Sequence, residues 1–130
     1  MAKFSLHKNE RLKSRKDMDR LFNEGNHFFH YPLRILWQKK VDEGDYHIQA
    51  GFTVSSRKYR KAVTRNRLKR KIRETYRYQK EHLEEFAANH QIKIQLMIIY
   101  AAAKEETMQN IESSLNKAIH HIQKELSRTE

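Results

Sequence analysis

The chain has 130 residues, 38% of them apolar, no cysteine and a formal net charge of +11. That length suits one compact domain with a modest core, and the missing thiols exclude a disulfide framework, a thiolate zinc site and a cysteine nucleophile. No export signal opens the sequence and no apolar run approaches the roughly 18 residues of a membrane span, so the expectation is a soluble, cytoplasmic protein with no membrane partner.

The first predicted element is a short helix from about Lys16 to Asn23, started by Ser14 as a cap and ended by Gly25. Leu12, Met18, Leu21 and Phe22 form its apolar side, and residues 1–13 before it read as a flexible basic arm. The chain then turns extended from Phe28 to Gln38 and from Tyr46 to Ser55, with "VDEGD" at 41–45 as the turn between. Pro32 breaks the first run, which leaves Phe28–Phe29 as a separate short strand. Tyr46, Ile48, Ala50, Phe52 and Val54 alternate with polar or small residues, the mark of a strand with one buried face. A long helix follows from about Lys61 into the eighties, then "IKIQLMIIYA" as an apolar strand. The last element, roughly Thr107 to Ser127, sets Met108, Ile111, Leu115, Ile119 and Ile122 at helical spacing. The order α-β-β-(β)-α-β-α predicts an α+β two-layer sandwich, a mixed sheet of three to four strands with helices, forming a single domain over residues 1–130.

The charge is not spread along this chain. Between Arg57 and Lys80 stand twelve basic residues and one acid, Glu74, while the remainder holds fifteen of each sign. One segment therefore carries the whole imbalance, which is the electrostatic footprint of a polyanion-binding surface. On a helical wheel at about 100° per residue, Leu68, Ile72, Thr75, Tyr76, Gln79, Leu83 and Phe86 share one side. Asn66, Lys69, Arg70, Arg73, Arg77 and Lys80 share the opposite side. Arg67 and Lys71 project to a flank where Glu74 is a candidate partner for either, and Arg65 falls near the apolar side.

A charge run is often just a solvated helix face, but the energetics here favour function. Cations in a first turn oppose the helix dipole by roughly 0.3–1 kcal/mol each, and like charges four apart, such as Lys69 and Arg73, add a few tenths. A face shaped by stability alone would interleave acids, as the C-terminal segment does with Glu105, Glu106, Glu112 and Glu125. The repulsion is relieved when a nucleic acid supplies the missing negative charge, with Arg forks suited to phosphate oxygens.

The stretch "TRNRLKRKIRE" resembles the signature of the bacterial ribonuclease P protein subunit, an Arg-Asn-Arg core followed by basic residues at helical spacing. "ERLKSRKDMDRLFNEG" is similar to that family's N-terminal segment and first helix, and "AGFTVSSRKYRKAVTRNRLKR" to its central strand, loop and helix. The resemblance implies an RNA-binding domain that assists a catalytic RNA, ribonuclease P RNA, which with Mg²⁺ removes the 5′ leader from precursor tRNA. It implies a left-handed crossover for the strand–helix–strand unit, no catalytic side chain in this chain and no obligate protein partner. At the matching positions, Arg65, Asn66, Arg67, Lys69, Arg70 and Arg73, with Arg77 beyond them, would face the RNA subunit. The family's groove for the leader lies between the first helix and the sheet. By position it would use Met18, Phe22, Leu36 and Lys58, with Arg11 and Lys13 either further leader contacts or part of the arm. Met18 and Leu36 stand where the family favours aromatic rings, and a Met and a Phe four apart on a short amphipathic helix are also what a core stripe looks like, so Met18, Phe22 and Leu36 are either groove or core residues. Either Trp37 compensates, or the first long strand is shifted by one residue.

Other constellations are weaker. His27 and His30 fall on a strand, His120 and His121 point to different faces, and no metal triad has workable spacing. Asp42, Glu43 and Asp45 form a carboxylate cluster that a polar turn explains more cheaply than metal-dependent hydrolysis. A ribosomal or other structural RNA-binding protein is the alternative reading, and an autonomous nuclease using Asp42–Asp45 the third.

Overall fold

The computed structural model describes residues 10–40 and 47–128. The elements are α1 (Arg15–Glu24), β1 (Asn26–His30), β2 (Leu33–Lys40), β3 (Ile48–Val54), α2 (Ala62–Asn89), β4 (Lys93–Tyr100) and α3 (Met108–Arg128). The optional strand of the predicted order is thus a real one, cut from β2 at Tyr31 and Pro32. Tyr46 and the Asp42–Asp45 cluster lie outside the described residues.

The four strands form one mixed sheet in the order β1-β2-β4-β3. β1 with β2 and β2 with β4 are antiparallel, whereas β3 runs parallel to β4. Parallel neighbours need a crossover, which α2 provides. The chain before α1 continues the sheet beyond β3: Arg11 bridges Ala50, and the Leu12 amide donates to the Ala50 carbonyl at 3.0 Å. Leu12 itself is buried, so residues 10–13 are seated against the sheet edge and do not behave as a free arm.

One face of the sheet carries the main core. Leu33, Ile35 and Trp37 of β2, Ile48 and Val54 of β3, and Ile94, Leu96, Ile98 and Tyr100 of β4 meet Leu68, Ile72, Tyr76 and Leu83 of α2 and the apolar stripe of α3. Each such side chain contributes roughly 1.5–3 kcal/mol by leaving water. The opposite face holds a smaller cluster, Leu12, Leu21, Leu36 and Met97, with Met18 and Ile99 against it. α1 therefore forms a partial third layer on the predicted two, because its short stripe covers only part of that face.

Hydrogen bonds fix α1 in place. Ser14 Oγ accepts from the Asp17 amide at 3.2 Å, an N-cap, and the Gly25 amide returns to the Leu21 carbonyl at 3.0 Å. A Cβ at Gly25 would sit 2.5 Å from that carbonyl, so close approach, not a left-handed backbone, demands glycine. Asp17 reaches the sheet, accepting from Gln95 Nε2 at 2.9 Å and Lys40 Nζ at 2.8 Å. Gln95 in turn accepts from Gln38 Nε2 at 2.8 Å and donates to Gln49 Oε1 at 2.9 Å. A polar ladder across three strands thus moors one helix.

Candidate nucleic-acid interface

α2 begins without a side-chain cap and without an acid in its first turn. Its inner face is Leu68, Ile72, Thr75, Tyr76 and Leu83, as the wheel predicts, and the signature cations lie elsewhere on its surface. Asn66, Arg67, Lys69, Arg70 and Arg73, together with Val63, line one open depression of about 470 Å³. No carboxylate among the described residues lines it. Arg73 also lines a second depression of about 340 Å³ beside Arg11, Lys13, Gly51 and Phe52, with its guanidinium carbon 6.0 Å from the Phe52 ring centre. The cationic surface therefore continues from α2 to the seated segment before α1.

Two signature arginines also hold structure. Arg65 donates to the carbonyls of Tyr59 and Arg60, both at 2.8 Å, and so ties the loop after β3 to the start of α2. Arg67 grips Glu105 with both arms of its fork, Nε at 3.1 Å and an Nη at 2.7 Å. That pair holds the Glu105 carboxyl below its ordinary range and raises the guanidinium. Glu74 does not pair with Arg67 or Lys71 as the wheel allowed; it lies 3.9 Å from Arg77.

Lys80 corrects the wheel more sharply. Predicted among the outward cations, it is only 4% exposed, and its ammonium meets Glu10 at 3.1 and 3.3 Å. Glu84 lies beside this pair; burial and a hydrogen bond with Glu10 push its carboxyl up to about 7 against the pull of Lys80. Lys80 thus binds the segment before α1 to the long helix.

The β4–α3 connection is fastened from several sides. Tyr59 donates to the Ala102 carbonyl at 2.8 Å, Lys58 Nζ donates to the Ala101 carbonyl, and Tyr100 donates to the Lys104 carbonyl at 2.6 Å. Tyr31 and Asn110 both donate to Glu106, at 2.9 and 2.7 Å, and hold its carboxyl low. Sequence reasoning missed this loop, because its partners are far apart in the chain.

The groove between α1 and the sheet is mostly aliphatic. Leu36 is 5% exposed and packed with Leu21 and Met97, while Met18 is half-buried against the same cluster. Trp37 cannot stand in for a ring there, since it is buried on the opposite face, so the one-residue shift does not occur. Phe22 is 53% exposed, and Lys58 stands at the end of the sheet. His27 and His30 lie on β1, and His121 stacks on Phe28 at 3.9 Å. Among the described residues no three His, Asp or Glu converge as a metal site, and no helix is long and apolar enough to cross a membrane.

These features define a small α+β protein with a sorted cationic helix face. The family model for Ribonuclease P matches residues 6–123. A ribonuclease P protein component from Porphyromonas gingivalis is 30% identical over 121 residues, covering 93% of this chain and 88% of that one. Another from Dictyoglomus thermophilum is 36% identical over 85 residues, 65% of this chain and 68% of its own. The Staphylococcus aureus RNase P protein superposes with a TM-score of 0.66 at 25% identity, covering 87% of this chain and 94% of that chain. The Thermotoga maritima protein gives 0.66 at 23% identity over 85% and 94%, a likeness of fold alone. The chain belongs to the ribonuclease P protein family, whose members serve tRNA processing with an RNA partner.

Proposed function

We propose that this chain binds ribonuclease P RNA through the outer face of α2 and the precursor tRNA leader through the α1 groove, while the RNA carries out the cleavage. The observation that supports this most directly is the depression lined by Asn66, Arg67, Lys69, Arg70 and Arg73, with no carboxylate among the described residues that line it. Lys69, Arg70 and Arg73 crowd like charges there until phosphates arrive, and the Arg70 and Arg73 forks can each take two phosphate oxygens, whereas the Arg67 fork is held by Glu105. Arg77 extends the face by one turn. In the groove, Phe22 offers an open ring to an unpaired base and Lys58 a cation to the backbone, whereas Met18 and Leu36 supply an apolar floor.

The described residues do not fit a Mg²⁺ centre of their own, so the proposal leaves the divalent ion to the RNA phosphates. The protein then acts by drawing two polyanions together, a repulsion that divalent ions also offset. Reconstitution with the RNA and precursor tRNA tests this: the protein's rate advantage should be large at low Mg²⁺ and shrink as Mg²⁺ rises. An advantage flat across Mg²⁺ would overturn the neutralisation reading, and cleavage by the protein alone would overturn the assignment of chemistry to RNA.

A further inference from the structure

The sheet face that carries α1 is only partly covered, and its open part has an unusual composition. Strand register assigns its residues: His27 pairs with Leu36 and Leu36 with Met97, while Phe29 pairs with Arg34 and Arg34 with Ile99. Leu36 and Met97 belong to the cluster under α1, so Phe29 and Arg34 project on the same face one row beyond it. By the same alternation, β1 to β4 place no Asp or Glu among their described residues on this face. Arg34 is exposed, and Phe29 and Tyr31 are each 53% exposed.

The two rings are held. Their centroids lie 6.3 Å apart at 75°, edge to face, and the Tyr31 hydroxyl is anchored on Glu106 at 2.9 Å. An aromatic pair left to solvent by stability alone loses apolar burial for nothing; a braced ring beside an exposed guanidinium is what stacking on an unpaired base requires. Aliphatic Met18 and Leu36 leave the groove floor without rings.

We propose that Phe29, braced by Tyr31 and flanked by Arg34, stacks on an unpaired nucleotide of the RNA leader, and that leader binding in this chain extends to the β1 edge. The inference rests on the leader reading above. The occupant is single-stranded RNA, because the face is cationic, free of strand carboxylates and continuous with the groove. Arg34 meets the adjoining phosphate or stacks on the next base.

The holoenzyme, reconstituted with ribonuclease P RNA, is titrated with precursor tRNA carrying or lacking its leader. In the parent the leader should strengthen binding, and Phe29→Ala should remove roughly 5- to 100-fold of affinity only when the leader is present. Phe29→Trp should retain it, and Arg34→Gln should weaken leader binding with a shallower salt dependence. A parent that does not distinguish the two RNAs would overturn the leader reading and this inference together. A leader-dependent parent with Phe29→Ala unchanged would overturn this inference alone. Thermal melts accompany each variant; should Phe29→Ala melt early, Phe29→Leu and photo-crosslinking from 5-iodouridine in the leader decide instead. Crosslinks confined to α1 and absent from β1 would refute the assignment.

Discussion

Replacing Lys80 by Met separates burial from RNA contact at one position. The ammonium is nearly enclosed and meets both oxygens of Glu10, whose side chain is itself mostly buried. Breaking such a pair by removing one partner usually costs about 3–5 kcal/mol, because a charge is left without compensation. Glu84 softens the loss here, since its raised carboxyl can keep a proton and share it with Glu10. The expected cost is therefore about 2–3 kcal/mol, or roughly 6–12 °C in Tm for a domain of this size. The pH dependence has a definite sign. Stability tied to protonated Glu84 is complete below the ordinary carboxyl range and is lost as pH rises through about 7. Without Lys80 that carboxyl rises further, so the deficit of Lys80→Met should be larger at pH 8 than at pH 5. Thermal or urea melts across this range read the effect, and RNA affinity measured well below Tm should be close to the parent's. An unchanged Tm with clearly weaker RNA binding would refute the reasoning and return Lys80 to the outer face.

Changing Arg70 and Arg73 together to Ala should leave Tm equal or slightly raised while RNA affinity falls and the salt slope drops by about 1–2, as read from binding at several ionic strengths. Glu105→Ala should free the Arg67 fork and strengthen RNA binding by about two- to fivefold at low salt, the scale of an exposed ion pair; a weaker complex would show that Arg67 acts through the loop it holds. Phe22→Ala should cost well under the roughly 3–5 kcal/mol of a core phenylalanine, because the ring is half exposed, and should weaken precursor tRNA carrying a leader more than mature tRNA. Acid titration should expose Glu105 and Glu106: both carboxyls are held low, so their contribution is present above the ordinary carboxyl range and is lost as pH falls below that range through their lowered values, read as a falling Tm in melts at successively lower pH.

The long helix and its cationic side were readable because their signal is local. Apolar residues at Leu68, Ile72, Tyr76 and Leu83 fix the inner face, and the cations fall where those do not. The same wheel failed at Lys80, since what buries it is Glu10, seventy positions away, and no local phase reports a partner at that distance. β2 shows a related limit. Leu33, Ile35, Leu36, Trp37 and Gln38 are all buried, so the strand lacks the alternation from which a face is read, and only its register assigns Leu36 to the groove and Trp37 to the core. The ladder from Asp17 through Gln95 to Gln49 was invisible for the same reason. Amides and a carboxylate on separate elements carry no periodicity.

The fastening of the β4–α3 connection bears on how the protein can be engineered. Surface loops are ordinarily the places that accept an inserted tag or a new chain end. Here the loop is gripped by Lys58 and Tyr59 before α2, by Arg67 on α2 and by Tyr31 after β1. A cut or insertion between Ala103 and Lys104 would part the carbonyls that Lys58 and Tyr59 hold from the carboxylates that Arg67 and Tyr31 hold, and disturb the start of the basic helix at once. A label meant to report on RNA without altering it belongs instead on the outer side of α3, where Ser113 points to solvent.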